Sequence, residues 1–288
     1  MKWVSFRQKN QGAAKVYSGV LNDQSVLVLG TEPLETWLAR PEVAQDRLKD
    51  APVLDLDKVE LCQPIMRPGK ILGIGLNYHA HAAETGRTAP TTQTWFVKQA
   101  TAANGPYAPV EMPKVSDKLD YEAELVVVIG KRGRHVPAER AMEIVAGFCC
   151  GCDFSVRDWQ RATPTMNMGK GFDTHAPFGP AIVTPDELGS LENLAVRGFV
   201  NGEQRQDGRA GDMVFDVPAQ IAHLTKAFTL EPGDILFTGT PAGVGAAFDP
   251  PKFVSIGDHV RVEIDGLGFI ENEIVAEPGL TIIGERRL

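Results

Sequence analysis

The run Asp120-Tyr121-Glu122-Ala123-Glu124-Leu125-Val126-Val127-Val128-Ile129-Gly130 sets two carboxylates, Glu122 and Glu124, at the head of an apolar, β-branched segment. Such a segment reads as a strand, and Gly130 ends it. Side chains alternate along a strand, so both glutamates face the same way. Like charges at that spacing, beside an apolar run, share a proton or share a cation. A bound metal ion is the simplest compensation, although Glu-x-Glu by itself also arises on solvated edge strands.

Three other stretches hold groups that could act with such an ion. In Leu76-Asn77-Tyr78-His79-Ala80-His81-Ala82-Ala83-Glu84, a helical turn over 78–84 puts His81 and Glu84 on one face. A carboxylate there would orient the imidazole and raise its basicity; the same spacing also suits a surface ion pair. Asp153 ends the apolar stretch Val145–Phe154 and is followed by Arg157, Asp158 and Gln160. This fits a salt-bridged helix start or a metal ligand trailed by substrate-holding groups, and spacing does not choose between them. Lys170 lies in Met168-Gly169-Lys170-Gly171-Phe172-Asp173-Thr174. The turn Thr238-Gly239-Thr240-Pro241-Ala242-Gly243-Val244-Gly245 follows the strand Ile235–Phe237 and suits a carboxylate held by backbone N–H groups. It lacks the ending of a phosphate-binding P-loop, and no helix pattern follows it as a dinucleotide site requires.

The elements that must position these groups are mostly strands. Residues 1–63 read as a small separate unit, with strands at Trp3–Phe6, Lys15–Leu21 and Ser25–Leu29. A helical pattern over 33–49 is interrupted near Pro41, and a strand is expected over 57–62. Pro64-Ile65-Met66-Arg67-Pro68-Gly69 supplies a boundary, leaving 64–288 as the larger domain. There, strands are expected at Lys70–Gly75, Trp95–Lys98, near Val110–Met112, Leu194–Val200, His259–Ile264 and Phe269–Val275. Asn201-Gly202 reads as a hairpin turn, and helices are expected from Pro137 through Val145 and from Val217 to Phe228. The stretch Thr88-Ala89-Pro90-Thr91-Thr92 reads as a flexible connection, which would let the preceding segment act as a lid.

The chain has 288 residues and a formal charge of −8, which suits a globular protein and argues against a nucleic-acid surface. No apolar run reaches membrane-spanning length, and the N-terminus has no signal-peptide core, so a cytoplasmic address is expected. Cys62, Cys149, Cys150 and Cys152 do not form paired Cys-x-x-Cys motifs, so buried free thiols are expected instead of a zinc site.

Taken in order, Asn-Tyr-x-x-His-x-x-Glu, Asp-Tyr-Glu-x-Glu-Leu-x-Val-Val-Ile-Gly, Asp-x-x-x-Arg-Asp-x-Gln, Gly-Lys-x-Phe-Asp-Thr and Gly-Asp-x-x-x-Thr-Gly-Thr-Pro-x-Gly-Val-Gly resemble the fumarylacetoacetate hydrolase family over about residues 64 to 288. The resemblance implies a mixed α+β, β-rich fold, a β-roll with few helices, preceded here by the small N-terminal domain. It implies Mg²⁺, Mn²⁺ or Ca²⁺ at Glu122, Glu124 and Asp153, and a homodimer. It implies Arg157, Gln160 and Thr240 at the substrate, Lys170 as the active-site lysine, and His81 with Glu84 as the lid dyad of the acylpyruvase-like branch. Three oxygen ligands without sulfur or imidazole select a hard cation, in keeping with that set. The expected reaction is hydrolysis of a C–C bond in a 2,4-dioxo acid, with charge on an enolate oxygen stabilised by metal and Lys170, and water deprotonated by His81. Decarboxylation or tautomerisation of oxaloacetate, or isomerisation of a 2-hydroxy-dienoate, would use the same groups. Apart from a second copy of the chain, the only partner expected is a small oxo acid: neither nucleic acid nor membrane.

Overall fold

The computed structural model describes residues 1–10, 15–279, 281, 283 and 284. Its centre is the strand Ala123–Ile129, every residue of which is buried. Leu125, Val127 and Ile129 belong to one apolar cluster, and Val126 and Val128 to another. A strand covered on both faces has no solvent side, which is why its sequence from Leu125 to Ile129 is continuously apolar. Its neighbours, Val145–Cys152 and Ile235–Phe237, both run antiparallel to it.

The main sheet has twelve strands. Beyond Val145–Cys152 come Ala176–Val183 and then the N-terminal strands Lys2–Gln8, Tyr17–Asn22, Ser25–Gly30 and Val53–Asp55. On the other side, Ile235–Phe237 is followed by Ile71–Gly75 and the edge strand Thr94–Lys98. The N-terminal segment thus continues the sheet, with Lys2 opposite Val183 and Trp3 opposite Ile182. Trp3, Leu29, Leu34 and Trp37 pack in the cluster that holds Val126, Val128, Phe178 and Phe237. A second, five-stranded sheet contains Glu203–Arg209, Ala195–Val200, His259–Ile264, Gly268–Ala276 and Val110–Met112. Its Val196, Val200, Val262 and Ile270 close over Leu125, Val127 and Ile129. The architecture is therefore β-rich, with few and short helices, as expected.

Local differences have local causes. Residues 33–49 divide into Leu34–Leu38 and Pro41–Leu48, with Pro41 at the first position of the second helix, where its missing N–H breaks no bond. The expected strand over 57–62 begins as a 3₁₀ turn, Leu56–Lys58, and only Val59–Leu61 pairs with Lys2–Gln8. The helix expected from Pro137 is a 3₁₀ segment, Ala138–Ile144. It must return Val145 to pair with Ile129, and a 3₁₀ segment covers more length per residue than an α-helix. Asn201 and Gly202 both have positive φ and join Val200 to its partner Glu203, the hairpin read from the sequence. All four cysteines are free and buried. Among the described residues no helix is long and apolar enough to cross a membrane.

Candidate active site

Strand register assembles the acids. Ala123 pairs with Cys152 and Glu124 with Gly151, so Glu122, Glu124 and Asp153 meet where the two strands end. The Asp153 N–H donates to the Glu122 carbonyl at 2.9 Å and fixes that crossing. One carboxylate oxygen from each of the three acids lies within 4.8 Å of the others. All three side chains are buried, Asp153 completely.

Three cations surround them. The Lys170 ammonium lies 2.6 Å from both Glu122 Oε2 and Asp153 Oδ2. Lys98 Nζ is 2.5 Å from Asp153 Oδ1 and also donates to the Phe154 carbonyl at 3.1 Å. Arg157 reaches Glu122 Oε1 at 2.7 Å and Asp120 Oδ2 at 2.8 Å. Gln160, one turn along the short helix Arg157–Arg161, accepts from Arg157 Nη1 at 3.0 Å.

Above this floor is a cavity of about 770 Å³. Every candidate named from the sequence borders it except Asp153, which lies beneath. The short helix His79–Glu84 forms one wall, and His81 Nδ1 is 2.6 Å from Glu84 Oε1. The spacing that fitted either a dyad or a surface pair has produced a bonded pair facing the acids, with His81 itself buried.

The glycine-rich turn does collect carboxylates, but they are the protein's own. The Gly239 N–H donates to Glu124 at 2.7 Å, Gly243 to Glu84 at 2.8 Å, and Gly245 and Ala246 to Asp120 at 2.7 and 2.9 Å. Gly243 has φ +106, and a Cβ there would lie 1.8 Å from the Arg205 carbonyl oxygen. Thr240 Oγ1 donates to the Ala123 carbonyl at 2.9 Å and accepts from Gln206 at 2.7 Å, so its hydroxyl is held by the protein.

Asp120, Lys98 and Gln206 were missed in the sequence. Asp120 extends the alternation of Glu122 and Glu124 by one step, a signal that was available. Lys98 ends an edge strand in which Phe96 and Lys98 alternate with the exposed Val97, so its inward direction was also legible. Gln206, fully buried, accepts from the Ala123 N–H at 2.9 Å; nothing in the strand around it marks that role.

The electrostatics identify what the cluster lacks. Burial disfavours the charged form of Glu122, yet Arg157 and Lys170 hold its carboxyl well below the usual range. Burial, reinforced by Asp153 and Glu122, pushes Glu124 well above it. Burial also disfavours charge on Lys170, but Asp153 and Glu122 more than compensate and raise it. The bonded network at the floor and wall of the cavity holds five carboxylates, Glu84, Asp120, Glu122, Glu124 and Asp153, against three cations, Lys98, Arg157 and Lys170. Two further positive charges would neutralise the set, and hard oxygen donors suit a divalent ion of the Mg²⁺, Mn²⁺ or Ca²⁺ type. The residues present fit such an ion.

Comparison with known proteins agrees with this geometry. A family model described as fumarylacetoacetate (FAA) hydrolase C-terminal matches residues 70–275. A human protein, oxaloacetate tautomerase FAHD2A, mitochondrial, is 41% identical over 264 residues, covering 89% of this chain and 84% of that protein. The fumarylacetoacetate hydrolase of Exiguobacterium antarcticum superposes with a TM-score of 0.86 at 33% identity, over 96% of this chain and 100% of the other. Maleylpyruvate hydrolase from Sphingobium sp. SYK-6, solved with manganese(II) and pyruvate, gives 0.79 at 28% identity over the same shares. With an acid cluster at the strand ends, a His–Glu pair above it and these matches over most of its length, the chain belongs to the fumarylacetoacetate hydrolase family.

Proposed function

We propose that this protein is a divalent-metal-dependent enzyme that interconverts the keto and enol forms of oxaloacetate. The observation that carries the proposal is the hydrogen-bonded His81–Glu84 pair on the wall of the cavity floored by Glu122, Glu124 and Asp153. The 41% identity to the human tautomerase supports that substrate over others of the family. Mg²⁺ or Mn²⁺ held by the three carboxylates would polarise the keto and carboxylate oxygens of a 2-oxo acid as a Lewis acid.

The chain's own residues do the proton work. With Nδ1–H donated to Glu84, the His81 lone pair is on Nε2, where it can take a proton from C3 of the keto form. The C3–H electron pair becomes the C2–C3 double bond, and the C2 oxygen takes up charge and then a proton to give the enol. Lys170 borders the cavity, and its third N–H is directed at neither of its two carboxylate partners, so it can donate to that oxygen. Arg157, clamped by Asp120 and Glu122, and Gln160 line the same space and orient the substrate. Residues 64–288 hold all of these groups and form the proposed catalytic domain, with residues 1–63 as an appended unit that completes its sheet. Homodimer formation is part of the proposal, to be tested by light scattering.

The test is enol decay in freshly dissolved oxaloacetate, followed by ultraviolet absorbance with Mg²⁺ or Mn²⁺. Acceleration over buffer is expected, and chelation should remove it. A second reading, hydrolysis of a 2,4-dioxo acid, is favoured by the manganese- and pyruvate-bound maleylpyruvate hydrolase relative. There His81 would take a proton from water as its oxygen bonds to C4, and the C3–C4 electron pair would leave on C3. Enol decay at the buffer rate, together with release of pyruvate from acetylpyruvate, would transfer the assignment to hydrolysis.

A further inference from the structure

The cavity holds two cationic side chains that the acid cluster does not use. Arg87 and Arg161 both border it, and neither makes a hydrogen bond or an ion pair through its side chain among the described residues. By contrast, Arg157, Lys98 and Lys170 are each bound to at least one carboxylate at 2.8 Å or less. Each free arginine is mounted on an element that already carries a site residue. Arg87 follows the helix of His81 and Glu84, and its N–H donates to the Ala82 carbonyl at 2.9 Å, which fixes it at the helix end. Arg161 ends the helix that presents Arg157 and Gln160.

Charge balance gives these residues a role. A divalent ion brings the inner acids and bases to neutrality, as described above. A substrate with two carboxylates then brings two negative charges into a space where only Arg87 and Arg161 are uncommitted cations among the residues lining it. Near the floor, Lys170 and Arg157 already pair with Glu122, Asp153 and Asp120, and the donors they keep face the oxo-acid end of the substrate. Arginine's fork of N–H donors suits a carboxylate.

We infer that Arg87 and Arg161 form the subsite for the distal carboxylate of the substrate and select dicarboxylic 2-oxo acids over acids with a neutral tail. The inference rests on the oxo-acid reading of the site, and it deepens that reading by assigning the chain's preference between substrate classes.

The experiment separates the two. Calorimetry on the Mg²⁺-loaded protein would compare malate with 2-hydroxybutanoate, a pair that differs in having a carboxylate or a methyl group at the far end and is not expected to react. Malate should bind more tightly. The malate-to-hydroxybutanoate affinity ratio should fall about tenfold in Arg161→Gln and in Arg87→Gln, and further in the double variant, while the lysine replacements restore part of it. With oxaloacetate as substrate, KM should rise by a similar factor and kcat should change much less. A ratio unchanged in both glutamine variants overturns the subsite, as does equal weakening of both ligands. If the wild-type protein prefers malate and the variants lose that preference, but enol decay is not accelerated, then the subsite stands and the tautomerase assignment falls.

Discussion

The floor and the lid of the cavity are built on opposite plans. On the floor, Glu122, Asp153, Lys98, Lys170 and Arg157 are buried, and each has at least one partner of opposite charge. In the lid, His81 and Glu84 rest on a six-residue helix, joined to the rest of the site through the Gly243 N–H. Charges that cannot reach water must be compensated in place, so the floor is fixed by its own electrostatics. The proton-moving pair is held differently, by one mutual hydrogen bond and one backbone N–H instead of by opposite charges on every side. The contrast separates binding from turnover: the floor should govern whether an ion is held, and the lid how fast protons move.

Mutation of the floor is the strongest way to break that division. Asp153→Asn or Glu124→Gln should abolish Mn²⁺ binding measured by calorimetry and reduce activity by about a thousandfold or more, since the Lewis acid would go with the ion. Retained stoichiometric Mn²⁺ in both variants would mean the floor is not the metal site. His81→Asn should lower activity by about 10²–10⁴-fold and leave Mn²⁺ affinity within a few-fold of the wild type. Joint loss of metal and activity in that variant would erase the distinction between floor and lid. Gly243→Ala comes next. Its Cβ would meet the Arg205 carbonyl oxygen at 1.8 Å in a φ +106 conformation, so the turn must shift and release Glu84. A fall in kcat of about tenfold with metal binding retained is expected, read from titrations and initial rates.

The smallest effect concerns pH. Glu124 is pushed up by burial and by its acidic neighbours, so in the metal-free protein it takes up a proton on folding. A carboxyl raised in the folded state stabilises fully below its unfolded value, ordinarily 4.5, and loses that contribution as pH rises toward the folded value. Glu122, held low, contributes in the opposite sense: its stabilisation is present above the unfolded value and is lost as pH falls. The difference between wild type and Glu124→Gln isolates the first effect. Metal-free wild type should lose melting temperature relative to Glu124→Gln by about 2–4 °C for each kcal/mol as pH rises from 4.5 toward neutrality. Mg²⁺ should reverse that trend, and parallel melting curves across pH would show that Glu124 is not the strained acid of the floor.

Much of the site was legible because strand geometry is periodic. Glu122 and Glu124 share a face by alternation alone, and the apolar run after them read as a strand. The His81–Glu84 spacing gave the right pair, and Asp153 stood at the end of the right strand. What the sequence concealed depended on contacts between distant segments. Lys98 reaches Asp153 across 55 positions, and Gln206 meets Ala123 across 83. The turn at 238–245 was recognised as a place for carboxylates, but its occupants come from elsewhere in the chain, and local spacing has no access to that. The first three N-terminal strands were placed to within a few residues, but Val53–Asp55 was not anticipated, and the pairing of Lys2 with Val183 lies outside anything their own pattern encodes.

That turn also has a consequence for biosynthesis. Its N–H groups meet Glu124, Glu84 and Asp120 at separations of 115, 159 and 125 residues. As the chain leaves the ribosome, these acids are exposed long before the segment that will hold them has been made. The central strand can pair early with Val145–Cys152, but its acidic end must wait in water until nearly the whole polypeptide is available. Catalytic competence is thus among the last properties the nascent protein acquires.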